Sequence, residues 1–160
     1  MPAVRWQTFE LGAPELAAEA MAELHDRPMA LVGTVRRDGS PRISCVQPFV
    51  FEGELYLGMM WRSRKALDLL RDPRLTLRNA ICTNTGNELE VIVRGRAVDV
   101  RDPGTRTAFV EAVAERTTWK EPSFHLFAVE LESVATLRYG GGEQHVRIWP
   151  QQIERRRRYG

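Results

Sequence analysis

The sequence predicts a mainly β, α+β domain: an antiparallel barrel decorated by about three helices. Three observations carry this expectation. Apolar–polar alternation recurs in seven or eight short segments. Most of the connections between them are too short for parallel crossovers. Neither a repeated βαβ pattern, a G-x-G-x-x-G turn nor a G-x-x-x-x-G-K-[ST] loop is present, so a doubly wound nucleotide fold is excluded.

Taken in order, residues 14–25 read as a helix. Pro14 suits a first helical position, and Leu16, Ala20, Met21 and Leu24 recur at helical spacing. They belong to a helical N-terminal segment, 1–28. Residues 29–36 form a strand, Arg37-Asp38-Gly39-Ser40 a tight turn, and residues 41–51 a second strand. After a turn at 52–54, residues 55–60 make a third strand, so the three read as an antiparallel meander. The period then becomes helical over 63–71, where Ala66, Leu67, Leu69 and Leu70 recur and Asp72-Pro73 stops the run. Residues 74–80 and 88–100 alternate as strands, with Gly95 marking a bulge or bend. Asp102-Pro103 opens a third helix with the apolar face Phe109, Val110 and Val113. Strands at 124–131 and 134–139, a glycine turn at 140–142 and a last strand at 144–149 complete the barrel. Residues 150–160 read as a flexible tail, and the whole of 1–160 as one domain.

Composition narrows the function. With 43% hydrophobic and 28% charged residues the chain is an ordinary globular sequence. No apolar run reaches the roughly 20 residues of a membrane span, and no secretory signal opens the chain, so a cytoplasmic protein is expected. A net charge of +2 gives no argument for nucleic acid. Arg155-Arg156-Arg157-Arg158 reads as a solvated end, since the strands lack interleaved aromatic and basic residues. Cys45 and Cys82 form no C-x-x-C pair and are expected as reduced, buried thiols. His25, His125 and His145 have no metal-ligand spacing, so no metal site is expected. His25 reads as a helix-end residue favoured by the dipole and His125 as structural.

The chemistry concentrates in Trp61-Arg62-Ser63-Arg64-Lys65-Ala66-Leu67, where a strand hands over to a helix. Ser63 suits an N-cap, its hydroxyl satisfying a free backbone N–H. A first helical turn normally attracts Asp or Glu; this one carries Arg64 and Lys65 with Arg62 just before. Cations there are unfavourable by about 0.3–1 kcal/mol each. A bound dianion reverses that sign, and free N–H groups, a hydroxyl, a guanidinium and an ammonium together make a phosphate site. Of the 23 basic residues only Lys65 and Lys120 are lysines, which singles out Lys65 further.

Residues 31–97 carry a series of motifs in a telling order: Thr34-Val35, Asp38-Gly39-Ser40-Pro41, Leu55-Tyr56, Ser63-Arg64-Lys65-Ala66, Asp72-Pro73-Arg74-Leu75-Thr76-Leu77 and Arg94-Gly95-Arg96-Ala97. This series resembles the pyridoxamine 5'-phosphate oxidase-like family of FMN-binding split β-barrels. The resemblance implies a homodimer with a flavin mononucleotide (FMN) per subunit near the interface, acting as an oxidoreductase on a small molecule. It implies that Ser63, Arg64 and Lys65 hold the phosphate. It further implies that Ser44, Cys45, Val46 and Gln47 line the ring, that Gly58 and Met59 precede the phosphate grip, and that Trp149 reaches the ring from the C-terminal region. Met59, Met60 and Trp61 could form a flat apolar slot, and no acid or base side chain is needed, because the flavin carries the hydride. Where vitamin-forming members have Arg-x-His, this chain has His145-Val146-Arg147, so pyridoxamine phosphate is not the implied substrate. Where they have a cofactor-binding glutamine, it has Glu90. Similar barrels use the deazaflavin coenzyme F-420, and others handle haem. These are the alternatives: a deazaflavin-dependent reductase, or a non-catalytic flavin- or haem-binding module.

Overall fold

The computed structural model describes residues 3–117 and 123–159; Lys120 lies outside them. Among the described residues, four helices and nine strands follow one another as α1 (Trp6–Gly12), α2 (Pro14–Leu24), β1 (Ala30–Val35), β2 (Pro41–Val46), β3 (Pro48–Phe51), β4 (Glu54–Met60), α3 (Arg64–Arg71), β5 (Arg74–Asn79), β6 (Leu89–Asp99), α4 (Pro103–Val113), β7 (Phe124–Gly140), β8 (Glu143–Trp149) and β9 (Ile153–Arg158). All pair antiparallel in the order β2-β1-β5-β6-β7-β4-β3, with β8 on β7 and β9 on β8.

The expected meander is corrected. β2 pairs with β1 and β3 with β4, yet β2 and β3 lie at opposite ends of the sheet order. The reason is local: the chain leaves the ladder at Gln47, and Pro48 cannot donate to continue it. Consecutive residues must therefore serve both ends of one sheet, which curls it into a barrel.

The split comes from β7. Along one edge it pairs with β6; along the other, its first part (124–128) pairs with β4 and its second (134–140) with β8. The two strands expected at 124–131 and 134–139 are thus one 17-residue strand with a register shift opposite Arg94/Gly95. Gly95 is required there, because a Cβ would sit 2.2 Å from the Glu130 carbonyl oxygen.

The barrel interior is filled by Val32, Leu57, Met59, Leu77, Val91, Val93, Phe127, Val129 and Leu131, with α1 and α2 contributing Trp6, Phe9, Leu16 and Leu24. The helix α1 starts without a capping residue: its N-cap Arg5 makes no side-chain cap bond, and it is held by burial of Trp6 and Phe9. Under α4, Phe49, Tyr56, Phe109, Val113, Phe124 and Leu126 form a second cluster. The α4 start is ordinary: Asp102 accepts from the Thr105 N–H at 2.7 Å.

Two further expectations are corrected. Residues 153–158 are no flexible tail: they pair with β8 in continuous register, arginines outward. Cys45 and Cys82 are free but exposed. Cys45 sits on an edge strand whose outer side chains, Ile43 among them at 74% exposure, are uncovered by the described residues. No described helix is long and apolar enough to cross a membrane.

Candidate functional site

The start of α3 departs from the ordinary start of α4. Ser63 occupies the N-cap with extended backbone, and its carbonyl accepts the first helical bond from Leu67 N–H at 3.0 Å. Its hydroxyl caps nothing, contrary to expectation: the Oγ is buried with no hydrogen-bond partner among the described residues. No acid lies in the first turn. The exposed Arg64 has no hydrogen-bond or ion-pair partner among the described residues, and Arg62 just before it takes a positive φ of 54°. An orphaned hydroxyl, the free N–H groups of a first helical turn and two cations therefore follow one another at the start of α3.

Lys65 is half-buried and donates to the Cys45 carbonyl. Burial pushes its ammonium pKa below the usual lysine range, against a smaller opposing effect of Cys45. No carboxylate pairs with it among the described residues, so its charge is uncompensated.

The helix is fixed by a buried cluster that sequence reasoning missed. Asp68, 4% exposed, accepts from Thr34 Oγ1 at 2.9 Å, Arg42 Nε at 2.7 Å and Arg71 at 3.4 Å. Burial alone would raise its carboxyl pKa; the hydrogen bonds from Arg42 and Thr34, the Arg42 charge and the weaker Arg71 hydrogen bond outweigh it, and the pKa is lowered. Arg71 also donates to the Val35 carbonyl. Together these contacts tie α3 to β1 and β2, which bring Cys45 beside Lys65. Only the i,i+3 placement of Arg71 after Asp68 was visible in sequence.

From the other side, Trp61 stacks on His125 at 4.5 Å and 11°, and Arg62 N–H donates to His125 Nε2 at 3.2 Å. His125 is thus structural in β7, and burial lowers its pKa, against Asp99 and with Arg106. Trp61, 58% exposed, faces away from the Lys65 cleft and lines another one.

A cleft of about 200 Å³ opens beside Lys65, lined by Cys45, Val46, Gln47, Gly58, Met59, Met60 and Lys65, with Met29, Phe49, Phe109, Val113 and Thr117. Six of the ten expected cofactor residues meet there. Ser63 and Arg64 do not line it but immediately precede Lys65 at the start of α3, and Ser44 precedes Cys45 on β2. Trp149 does not join them. It is 8% exposed, packs on Phe9 at 5.0 Å and borders a different cleft against Gly12–Leu16, because β8 turns it into the core opposite Val134.

A larger cleft of about 580 Å³ lies between α2 and the 80–88 connection. Its cations are already neutralised, Arg27 by Glu23 and Arg138 by Glu19 at 2.9 Å. It offers no unpaired donor comparable to Ser63–Lys65, so the smaller cleft is the better candidate. Glu90 is likewise engaged, by Arg78 and by the Tyr139 hydroxyl at 3.0 Å. His145 pairs with Glu154 at 2.7 Å on the outer hairpin. His25 stands at the C-cap of α2, as expected of a helix-end residue; its Nδ1 accepts from Val50 N–H at 2.7 Å, and burial, then Arg116, lower its pKa against Asp26. Among the described residues no cluster of His, Cys, Asp and Glu could hold a metal.

Barrel, split strand and the cation-bearing start of α3 together define a split-barrel protein. The sequence profile of pyridoxamine 5'-phosphate oxidase matches residues 16–138, and the chain belongs to that family. Solved structures with the same fold include a conserved hypothetical protein of Mycobacterium tuberculosis (21% identity, TM-score 0.64, covering 73% of this chain and 81% of that one). They also include an FAD-binding protein of Mesorhizobium loti (18%, 0.60, 75% and 90%) and the haem storage protein HutZ of Vibrio cholerae (17%, 0.62, 73% and 90%). No curated protein sequence matches the chain.

Proposed function

We propose that the protein is a flavin-dependent oxidoreductase that binds FMN with its phosphate on Ser63, Arg64 and Lys65 and its ring in the Lys65 cleft. The observation that carries this reading is the buried, unpartnered Ser63 hydroxyl beside two cations without carboxylates at a helix N-terminus. A phosphate satisfies all three at once. The end of β2 at Cys45 and Val46, with Gln47 just beyond it, offers backbone to the polar ring edge, while Met59, Met60 and Phe49 supply apolar contact. Bound there, the flavin supplies hydride chemistry; the chain's own residues bind it, orient it and shield it from water.

The functional unit is a homodimer. A cleft of about 200 Å³ is below the roughly 300–1,000 Å³ of sites that enclose small molecules, so one chain supplies one wall. Register places Ile43, Leu31, Arg78, Ile92, Leu137 and Val146 on one continuous sheet face, opposite the barrel interior. These side chains are exposed or half-buried, and a mostly apolar sheet face of this extent requires cover. A second copy provides it and completes the cleft beside Cys45, which lies on that same face.

Purified protein is titrated with FMN, the deazaflavin coenzyme F-420 and haemin, followed by visible absorbance and by molar mass in solution. Saturable FMN binding by a dimer supports the proposal. Binding of coenzyme F-420 alone moves the protein to the deazaflavin reductases; a sharp haem band with no flavin binding refutes the oxidoreductase reading.

A further inference from the structure

The turn at Arg62 divides two clefts. Met60, before it, lines the Lys65 cleft; Trp61 lines a second, of about 380 Å³, with Leu70, Asp99, Arg101, Arg106, Phe124 and His125. Trp61 is two residues from Ser63, so their Cα atoms are at most about 7 Å apart. The start of α3 thus stands between two clefts, one lined by Lys65 and the other by Trp61.

The second cleft suits a flat ring. The inner face of Trp61 rests on His125 at 4.5 Å, nearly parallel, and His125 lies parallel to Phe127 at 6.2 Å. His125 is 8% exposed and also holds the backbone of Arg62. The indole is therefore buttressed, and little side-chain freedom is lost when something stacks on its open face. The cleft does not suit a phosphate. Arg106 is spent on the Val100 and Phe124 carbonyls at 3.0 and 2.7 Å and lies over the Phe124 ring at 4.2 Å. Arg101 is paired with Asp99 at 2.6 Å, which leaves a donor–acceptor pair at the rim for the polar edge of a base.

We propose that the Trp61 cleft takes the adenine ring of a flavin dinucleotide whose phosphates lie on the Ser63–Lys65 grip. This rests on the flavin reading above and adds a second ring subsite to it. The bland account, an exposed indole that merely packs on a histidine, predicts no preference between mono- and dinucleotide.

The test measures dissociation constants for FMN and FAD with the full chain, its Trp61→Ala variant and its Trp61→Phe variant, with thermal unfolding as a check on folding. Base–aromatic stacking of ordinary strength makes FAD about ten-fold tighter than FMN in the unaltered protein. Trp61→Ala brings the ratio to about one, and Trp61→Phe keeps most of it. General loosening of the Arg62 turn shifts both constants together and leaves the ratio alone, so a ratio untouched by Trp61→Ala overturns the inference. So does equal affinity for the two cofactors in the unaltered protein, and FMN bound tightly with FAD rejected does the same. Failure of both cofactors to bind overturns the parent reading as well, whereas FMN binding without the ratio leaves the parent reading standing.

Discussion

Replacing Lys65 by methionine separates the two roles a half-buried lysine can have. In the ligand-free protein its ammonium has a single carbonyl partner, that of Cys45, and burial disfavours its charged form. Removing it should leave the ligand-free fold no less stable. The sign follows from linkage: a lysine whose folded pKa is lowered carries its penalty at neutral pH, and the penalty is relieved only as pH rises above that value. Toward a phosphate the same side chain acts in the opposite direction. A unit charge pair at 4 Å with an effective dielectric of 20 is worth about 4 kcal/mol. Partial exposure and the cost of desolvating the phosphate reduce this toward the roughly 1.5–3 kcal/mol of a charge-assisted hydrogen bond.

FMN affinity should therefore fall by about 2 kcal/mol in Lys65→Met, roughly 30-fold. Adding Arg64→Ala brings the loss to about 2–4 kcal/mol, since the exposed Arg64 is screened by solvent. Riboflavin, which has the ring and lacks the phosphate, isolates the interaction. Its affinity should change less than two-fold in either variant, as measured by flavin fluorescence titration alongside thermal unfolding of the ligand-free protein. The reasoning is refuted if FMN and riboflavin weaken equally, or if the unfolding temperature of the ligand-free protein drops together with FMN affinity.

Asp68→Asn should lower stability to urea by about 2–3 kcal/mol, because Arg42 and Arg71 lose a buried partner while keeping some access to water. With a lowered folded pKa, Asp68 contributes its stability above the unfolded carboxylate pKa, and loses it as pH falls through the folded value; the variant should show a shallower acid limb. Gly95→Ala drives a Cβ to within 2.2 Å of a backbone oxygen and should destabilise by about 3 kcal/mol or prevent soluble expression, whereas Gly104→Ala meets only an Asp102 oxygen at 3.3 Å and should be mild. His25 and His125 both have lowered folded pKa values, so their neutral forms belong to the fold. Stability should fall as pH drops below about 6.5, where the unfolded histidines take up protons first, and a His25→Gln, His125→Gln double variant should flatten that dependence in urea titrations.

Much of the fold was legible because its signals are local. Asp38-Gly39 places Gly39 at φ 85° in the first hairpin, Asp102-Pro103 starts α4, and Gly95 marks the bulge. What escaped depends on distant partners. No local pattern distinguishes a 17-residue strand with a bulge from two strands, and no periodicity shows that β2 and β3 end up on opposite edges. The arginines of β9 read as a solvated end because an edge strand needs only one backbone neighbour, and its side chains remain as exposed as those of a tail. Cys45 looked like a core thiol, yet its apolar neighbours point to a face that a single chain leaves open. Trp149 was placed by analogy; in this chain it is buried against Phe9, apart from the Lys65 cleft. The candidate site was legible in one respect, the wrong sign of charge at the start of α3. Its supports, Asp68 behind and His125 beside, lie on residues far apart in sequence whose types carry no motif.

The two helix starts of this chain sharpen why that sign matters. At α4 the Asp102 carboxylate accepts from Thr105 and answers the positive end of the helix from within the chain. At α3 the equivalent position holds a serine whose hydroxyl bonds nothing, the preceding residue takes a conformation rare outside glycine, and the following two are cations. The Arg62 turn is held by its N–H bond to His125 and by Trp61 stacked on that ring, but packing requires neither the orphaned hydroxyl nor the two cations: α3 is already anchored by Asp68, Ala66 and Leu69 on its other face. A sequence under selection for stability alone would carry an acid at Ser63 and lose the lysine. On the reading proposed above, a doubly charged phosphate offsets the orphaned hydroxyl and the two cations at once, because it accepts from hydroxyl, amide, guanidinium and ammonium together.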